Sequence, residues 1–316
     1  MPAKRRCLVL AAGFGTRMGP IGKRLPKVIW PVFEMSLLEL QVRFARKLGC
    51  DEIYVNLHHQ SDDILAHAKT RKTFSDVHWL LEKPEILDIG GGIHNLASQP
   101  HISYQGELLI LNSDQFLWFT SQEIETWKAA AGDWDALLLT LSVNSSQGYN
   151  QLNLVDRRFT GVVPNAQLPR DVEIETYSGN ALIRLDRLDR SSGPSAFFSS
   201  VASATKKVMT APLRKGRYWD FGTAGRYYAS MQGIMNAVAL ERPDEFVSFL
   251  LAEGGFETLK LDKTKHAYGC SVPGLINLGN DVPSLRHPPG VILSGPSRVE
   301  GTQPILVYDS EVQYLD

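Results

Sequence analysis

The chain has 316 residues, 43% hydrophobic and 21% charged, and its 33 lysines and arginines against 34 aspartates and glutamates leave a formal charge of −1. That composition excludes a disordered tail or a collagen-like repeat, and the balanced charge removes the bulk electrostatic argument for binding nucleic acid or an acidic membrane surface. No stretch approaches the roughly 20 consecutive apolar residues of a membrane span.

Lys4-Arg5-Arg6 stands before the apolar run Cys7–Ala12, which leads straight into Gly13-Phe14-Gly15. The run is too short for an export signal and reads as a first strand. Ser36–Leu48 places Leu37, Leu40, Phe44 and Leu48 at helical spacing, and Gly49 closes that helix as a left-handed cap would. Glu52–Leu57 reads as a strand, Asp62–Lys69 as a short helix and Val77–Leu81 as a strand. A glycine-rich turn, a strand at Glu107–Asn112, a helix near Gln122–Ala131 and a strand at Asp135–Ser142 follow. Strands alternating with helices predict a parallel sheet covered on both faces, with every strand's carboxyl end on one edge.

The second half reads differently. Leu152–Val155 and Phe159–Val163 predict a hairpin, and Thr176–Arg184 a long strand containing a glycine. Ser199–Met209 and Ala224–Ala239 predict helices, and Pro243 opens another that reaches about Ala252. From His266 the chain is rich in glycine, proline and β-branched residues, and the spacing of Val299 and Ile305 is a weak hint of β-helical coil. The expected fold is α/β: a three-layer α/β/α Rossmann-like sandwich with a mostly parallel mixed sheet, plus a small β-rich extension over residues 266–316. Cys7, Cys50 and Cys270 are too few and scattered for a disulfide framework or zinc cage, and read as reduced thiols of a cytoplasmic protein.

Gly13 and Gly15 directly follow the first strand, where glycines let the backbone bend and bring its N–H groups against an anion. Arg17 and Lys27 add positive charge, so the segment describes a triphosphate cradle. A dinucleotide fingerprint does not fit, because Gly19 comes one residue late. A P-loop does not fit either, because Gly22-Lys23 is followed by Arg24 and position 17 is not glycine.

Gly13-x-Gly15-Thr16-Arg17-Met18, followed after seven residues by Pro26-Lys27, resembles the signature of sugar-1-phosphate nucleotidyltransferases. Gly90-Gly91-Gly92-Ile93 resembles that family's second glycine turn, near nucleobase and ribose. Leu111-Asn112-Ser113-Asp114 resembles its strand-end N-[GS]-D, and Trp219-Asp220-Phe221-Gly222-Thr223 its W-x-D-[IVF]-G-T. Ser178-Gly179-Asn180 is similar to its sugar-pocket strand. The motifs keep the family's order over residues 7–240. The resemblance implies a nucleotidyltransferase domain over residues 1–265. It implies a nucleotide held by Ala11, Ala12, Gly13, Gly15, Thr16, Arg17, Met18, Lys27, Glu82, Gly90, Gly91 and Asn112. Lys27 and Arg17 would act on the reacting phosphates, and Asp114 and Asp220 would hold Mg2+.

Magnesium prefers hard oxygen ligands and is usually held by one or two carboxylates plus substrate phosphates. Each aspartate read alone is as well explained as a turn former or helix cap. Two acids ending apolar strands can, however, converge at one edge of a parallel sheet. The implied reaction is attack of a sugar 1-phosphate on the α-phosphorus of a nucleoside triphosphate, releasing pyrophosphate. A phosphate monoester with a second pKa near ~6 is largely dianionic at neutral pH, so no general base is required. His58, His59 and His94 show no metal-ligand spacing and read as surface or substrate-edge residues.

Within the superfamily the sequence is most similar to N-acetylmuramate-1-phosphate uridylyltransferases and related mannose- or heptose-1-phosphate guanylyltransferases. The nucleotide is therefore expected to be UTP or GTP. Glu82 and Lys83 stand where the family reads the base: a carboxylate can accept from guanine N1–H and N2–H, whereas uracil N3–H can donate to a backbone carbonyl. An E-K-P that grips the sugar in many relatives is missing from Gly161–Glu175, and the Glu82–Pro84 instance comes too early. Asn153, Tyr177, Gly179 and Asn180 are the sugar-contact candidates, with hairpin packing as the alternative. A non-catalytic nucleotide-sugar sensor is the reading from another class; its signature would be loss of Lys27 or a metal aspartate, and neither is lost. A nucleotide-dependent oxidoreductase is disfavoured by the glycine spacing. An oligomer is possible, with the C-terminal fifty residues as a source of interface.

Overall fold

Cys7 and Val9 face one core while Leu8 and Leu10 face another, and all four are buried. A strand covered on both faces reads as a continuous apolar run, which is why Cys7–Ala12 shows no alternation. The computed structural model describes residues 5–18, 22, 23, 25–32, 35–239 and 244–253, with strand backbones at 259–262, 267–270, 275–278, 291–294 and 306–307.

The strands of the first half are β1 (Arg6–Leu10), β2 (Pro31–Val32), β3 (Met35–Ser36), β4 (Glu52–Leu57), β5 (Val77–Leu81), β6 (Glu107–Asn112), β7 (Gln115–Leu117) and β8 (Ala136–Asn144). Then come β9 (Gln151–Val155), β10 (Arg158–Val163), β11 (Glu173–Arg184), β12 (Val208–Pro212) and β13 (Tyr218–Asp220). The main sheet has nine strands in the order β5-β4-β1-β6-β11-β8-β12-β10-β9. β5, β4, β1 and β6 are mutually parallel, with Leu10 level with Asn56 on one side and Asn112 on the other. β11 runs antiparallel to both β6 and β8, and β12 is parallel to β8. The sheet is thus mixed with a parallel half, as expected.

Helices cover both faces. On one lie α1 (Leu37–Lys47) and α2 (Ser61–Lys69); on the other lies α3 (Asp88–Ala97), whose Ile93, Leu96 and Ala97 pack with Leu8 and Ile110. The Ser36 side chain caps α1 by accepting from Glu39 N at 3.1 Å, and Gly49 ends it at φ 78°. α4 (Ser121–Ala131) opens with a capping box between Thr120 and Glu123. Farther on are α5 (Phe197–Ser200), α6 (Ala224–Ala239) and α7 (Glu245–Glu253).

Two expectations are corrected. The helix expected over Ser199–Met209 is only the single turn α5, after which Val208–Pro212 joins the sheet beside β8. Ser203 and Thr205 bond each other at 2.9 Å, and such local side-chain bonding competes with helix. Gly90–Gly92 is no turn but lies inside α3.

Toward the C-terminus, β14 (Leu259–Asp262), β15 (Ala267–Cys270), β16 (Leu275–Leu278), β17 (Val291–Ser294) and β18 (Leu306–Val307) form a second sheet in sequential order. Its first strand starts before residue 266, where the extension was expected to begin. Gly19, Arg24, Pro243, Val299 and Ile305, each used in reading the sequence, lie outside the described residues.

Candidate active site

The carboxyl edge of the parallel half carries the glycine loop. Gly15 adopts φ 62°, and Met18 N bonds the Gly15 carbonyl at 3.0 Å, which closes the short turn Thr16–Met18. Ala11 N donates to Asn56 Oδ1 at 2.9 Å, tying the root of the loop to the end of β4. Asn56 Nδ2 in turn donates to Glu82 Oε1 at 2.8 Å, and Leu87 N donates to Glu82 Oε2 at 2.8 Å. Loop, β4 and the segment after β5 are therefore joined through two buried side chains.

A cleft of about 340 Å3 opens between these segments. Ala11, Ala12, Gly13, Gly15, Thr16, Arg17, Lys27, Glu82, Asn112 and Asp114 all line it. Asn56, Ile86, Asp88 and Ile89 line it as well and were missed by sequence reasoning. The available signal for Asn56 was an amide in an otherwise apolar strand.

The two acids converge. Asp114 stands between β6 and β7, and Asp220 ends β13, which pairs antiparallel with β7 so that Asp220 faces Gln115. Phe221 N donates to the Asp114 carbonyl oxygen at 2.8 Å. A Cβ placed on Gly222 would lie 2.9 Å from Asp220 Oδ1 and 3.3 Å from Asp114 Oδ2, so both carboxylates border the same small space.

Fixed charge surrounds them. The Lys27 ammonium pairs with Asp114 Oδ2, and Arg17 Nη2 reaches the same oxygen at 3.3 Å. Asp114 Oδ1 is buried and has no hydrogen-bond partner among the described residues. An unpartnered buried carboxylate oxygen costs free energy unless something satisfies it. A hard cation does so, and the pair Asp114–Asp220 fits a divalent ion that takes its other ligands from phosphates. Asp220 Oδ1 accepts from Gly222 N at 2.7 Å, and Asp220 Oδ2 accepts from Arg226 Nη1 at 2.7 Å.

Other expected residues fall elsewhere. Met18 is buried in the core beneath the loop. Gly90 and Gly91 do not line the cleft; a Cβ on Gly90 would lie 2.2 Å from Ser200 Oγ, and one on Gly91 2.5 Å from the Gly193 carbonyl. Their smallness lets α3 lie against the 193–200 segment. Glu82 does border the cleft but is only 1% exposed, and both its oxygens are engaged by the protein.

The four sugar candidates do not form one pocket. Asn180 is buried and its Oδ1 accepts from Asn112 N at 2.9 Å, while Gly179, at φ 81°, packs on the Asn112 side chain. Both shape the floor near Asn112. The Tyr177 ring stacks on Phe197 at 5.2 Å and its hydroxyl is buried. Asn153 lies exposed on β9, the outermost strand. His94 is also corrected: it is 1% exposed, with Nδ1 3.2 Å from the Tyr104 hydroxyl. His58 and His59 flank the exposed Phe14 of the glycine loop.

A parallel-edge cleft with a glycine loop, paired acids and a lysine defines a nucleotidyltransferase-like site. Residues 7–171, over half of the chain, match the MobA-like NTP transferase domain, and the chain belongs to that family, within the sugar-1-phosphate nucleotidyltransferase superfamily its motifs resemble. It is 31% identical over 161 residues to the bifunctional protein GlmU of Idiomarina loihiensis, covering 51% of this chain and 33% of that protein. It is 32% identical over 69 residues to a UTP–glucose-1-phosphate uridylyltransferase of Synechocystis, covering 22% of this chain and 18% of that protein. The chain thus spans a third or less of the length of these curated relatives. Among solved structures, HddC from Yersinia pseudotuberculosis complexed with GMP-PN superposes with a TM-score of 0.59 at 19% identity, covering 71% of this chain and 97% of that one. At that identity the likeness shows the fold. Among the described residues no helix is long and apolar enough to cross a membrane.

Proposed function

We propose that the protein transfers a nucleoside monophosphate from a nucleoside triphosphate to a sugar 1-phosphate, releasing pyrophosphate, with Asp114 and Asp220 holding Mg2+. The observation that carries this reading is the convergence of the two acids beside Lys27 and Arg17 at the end of the glycine-loop cleft.

The loop N–H groups and Arg17 receive the triphosphate, and Lys27 moves from Asp114 onto the reacting phosphate. The barrier lies in anion–anion repulsion and in charge developing on phosphorus and leaving group, which fixed cations and positioning address directly. Mg2+ between the acids would supply further charge neutralisation at the transferred phosphorus. The acceptor phosphate needs no base, in keeping with the absence of histidine from the motifs.

For the substrates, uridylyl transfer to N-acetylmuramate 1-phosphate or a similar sugar is the preferred assignment, with guanylyl transfer to mannose or heptose 1-phosphate as the alternative. What favours uracil is Glu82: with Asn56 and Leu87 N on its two oxygens, it is not poised to accept from guanine. The test is pyrophosphate release from UTP, GTP, CTP, ATP and dTTP with magnesium across a panel of sugar 1-phosphates. UTP with an N-acetylated sugar is expected to give the highest rate. Silence across the whole panel would favour a non-catalytic sensor of nucleotide sugars.

A further inference from the structure

Three side chains from three separate elements meet on one oxygen of Asp220. Arg226, in the first turn of α6, donates from Nη1 to Oδ2 at 2.7 Å, and the hydroxyl of Tyr149, from the segment joining β8 and β9, also donates to Oδ2. The Tyr218 hydroxyl of β13 lies 3.1 Å from the same oxygen and 2.8 Å from the Tyr149 hydroxyl, so its single proton serves one or the other. The donors also brace one another. Arg226 Nη1 lies 2.9 Å from the Tyr149 oxygen, its guanidinium carbon sits 4.8 Å from the Tyr149 ring centre, and Nη2 donates to the Gln147 carbonyl at 2.7 Å.

The opposite oxygen is left for a different purpose. Asp220 Oδ1 accepts only from Gly222 N among the described residues, and it is Oδ1, with Asp114 Oδ2, that borders the space beside Gly222. A carboxylate held through one oxygen by Arg226 and Tyr149, with the Tyr218 hydroxyl against that oxygen and the Tyr149 hydroxyl, has a fixed plane, and its second oxygen has a fixed direction. We propose that Tyr149, Tyr218 and Arg226 are positioning residues that hold Asp220 so that Oδ1 is the oxygen offered to the divalent ion shared with Asp114. This rests on the reading of Asp114 and Asp220 as the metal pair. Outer partners of metal ligands typically change affinity about 10- to 100-fold when removed.

The experiment titrates manganese(II) alone into the full chain and reads free ion by electron paramagnetic resonance. Tyr149→Phe, which deletes one hydroxyl, and Arg226→Lys, which keeps the charge but not the fork, are each expected to weaken binding about tenfold. Their thermal midpoints should stay within a few degrees of the parent. Should Tyr149→Phe fail to fold, Tyr218→Phe makes the same deletion and carries the same expectation. Asp220→Asn separates the two levels of the argument. If it abolishes binding while the tyrosine and arginine variants bind like the parent, the positioning role is overturned and the metal pair stands. If it binds like the parent, the metal pair fails and the positioning role falls with it.

Discussion

The backbone amide of Phe221 donates to the carbonyl oxygen of Asp114 at 2.8 Å, so the residue after one acid is bonded to the backbone of the other. Their separation is set by a two-strand ladder, with Asp220 opposite Gln115, rather than by flexible side chains. Asp114→Asn and Asp220→Asn alter charge without altering that ladder. Each is expected to lower turnover by orders of magnitude, as is Lys27→Ala, while thermal midpoints change little. Stopped or steady-state pyrophosphate release measures the first, calorimetry the second. Parent-like turnover in any variant would contradict the role given to that residue.

Gly222 offers a steric version of the same test. A methyl there would meet Asp220 Oδ1 at 2.9 Å, closer than real Cβ contacts, and Asp114 Oδ2 at 3.3 Å. Gly222→Ala should displace the acids without touching the core, so turnover falls about tenfold or more and the magnesium concentration for half-maximal rate rises. An unchanged magnesium dependence would argue that the space beside Gly222 holds no ion.

Glu82 gives a selectivity test. Its carboxylate accepts from Asn56 and Leu87 N in a site 1% exposed. Glu82→Gln turns one acceptor into a donor facing a donor, a mismatch of about 1–3 kcal/mol. The expected outcome is a raised KM for the nucleotide with the ratio of UTP to GTP efficiency unchanged. A shifted ratio would return Glu82 to reading the base.

Gly179 has φ 81° in the irregular stretch of β11 between Tyr177 and Ala181, and a Cβ would lie 2.7 Å from Asn112 Nδ2. Gly179→Ala combines backbone strain with that clash and should destabilise the fold by about 1–3 kcal/mol in urea unfolding. Because Asn112 lines the cleft, activity should fall with it.

His94 makes stability pH-dependent. Burial and, next, the Lys206 charge lower its pKa, with Asp189 opposing, so the unfolded chain binds the proton more readily than the folded one. The stabilisation is therefore full above the unfolded pKa near ~6.5 and is lost as pH falls below it. Thermal midpoints should drop from pH 7.5 to pH 5.5, and His94→Gln should flatten part of that drop. An identical slope in the variant would remove His94 from the account.

Local signals carried the parallel half well. β4, β5 and β6 begin and end where their apolar runs do; β4 and β6 are enclosed on both faces, whereas β5, at the sheet edge, buries only Val77. The glycine loop and both acids were legible for a related reason: their residue types serve backbone bending and charge, which a short motif records. What escaped depended on partners far along the chain. Gly90 and Gly91 read as a turn because nothing nearby in sequence announces the 193–200 segment against which α3 must fit. Asn180 read as a sugar contact, yet its amide supports Asn112, 68 positions away. Tyr149 carried no signal at all, since its hydroxyl gains meaning only where it meets Asp220, 71 positions on.

At the inner end of the cleft, Lys27, Arg17 and Arg226 stand around the carboxylates of Asp114 and Asp220, and Glu82 and Asp88 also line the cleft. Arg17 keeps 64% of its side chain in solvent and is the outermost of the three. The attraction for an incoming polyanion comes from these three cations, the exposed Arg17 first, in a chain that is otherwise nearly neutral. That pull fades as ionic strength rises and counterions screen it.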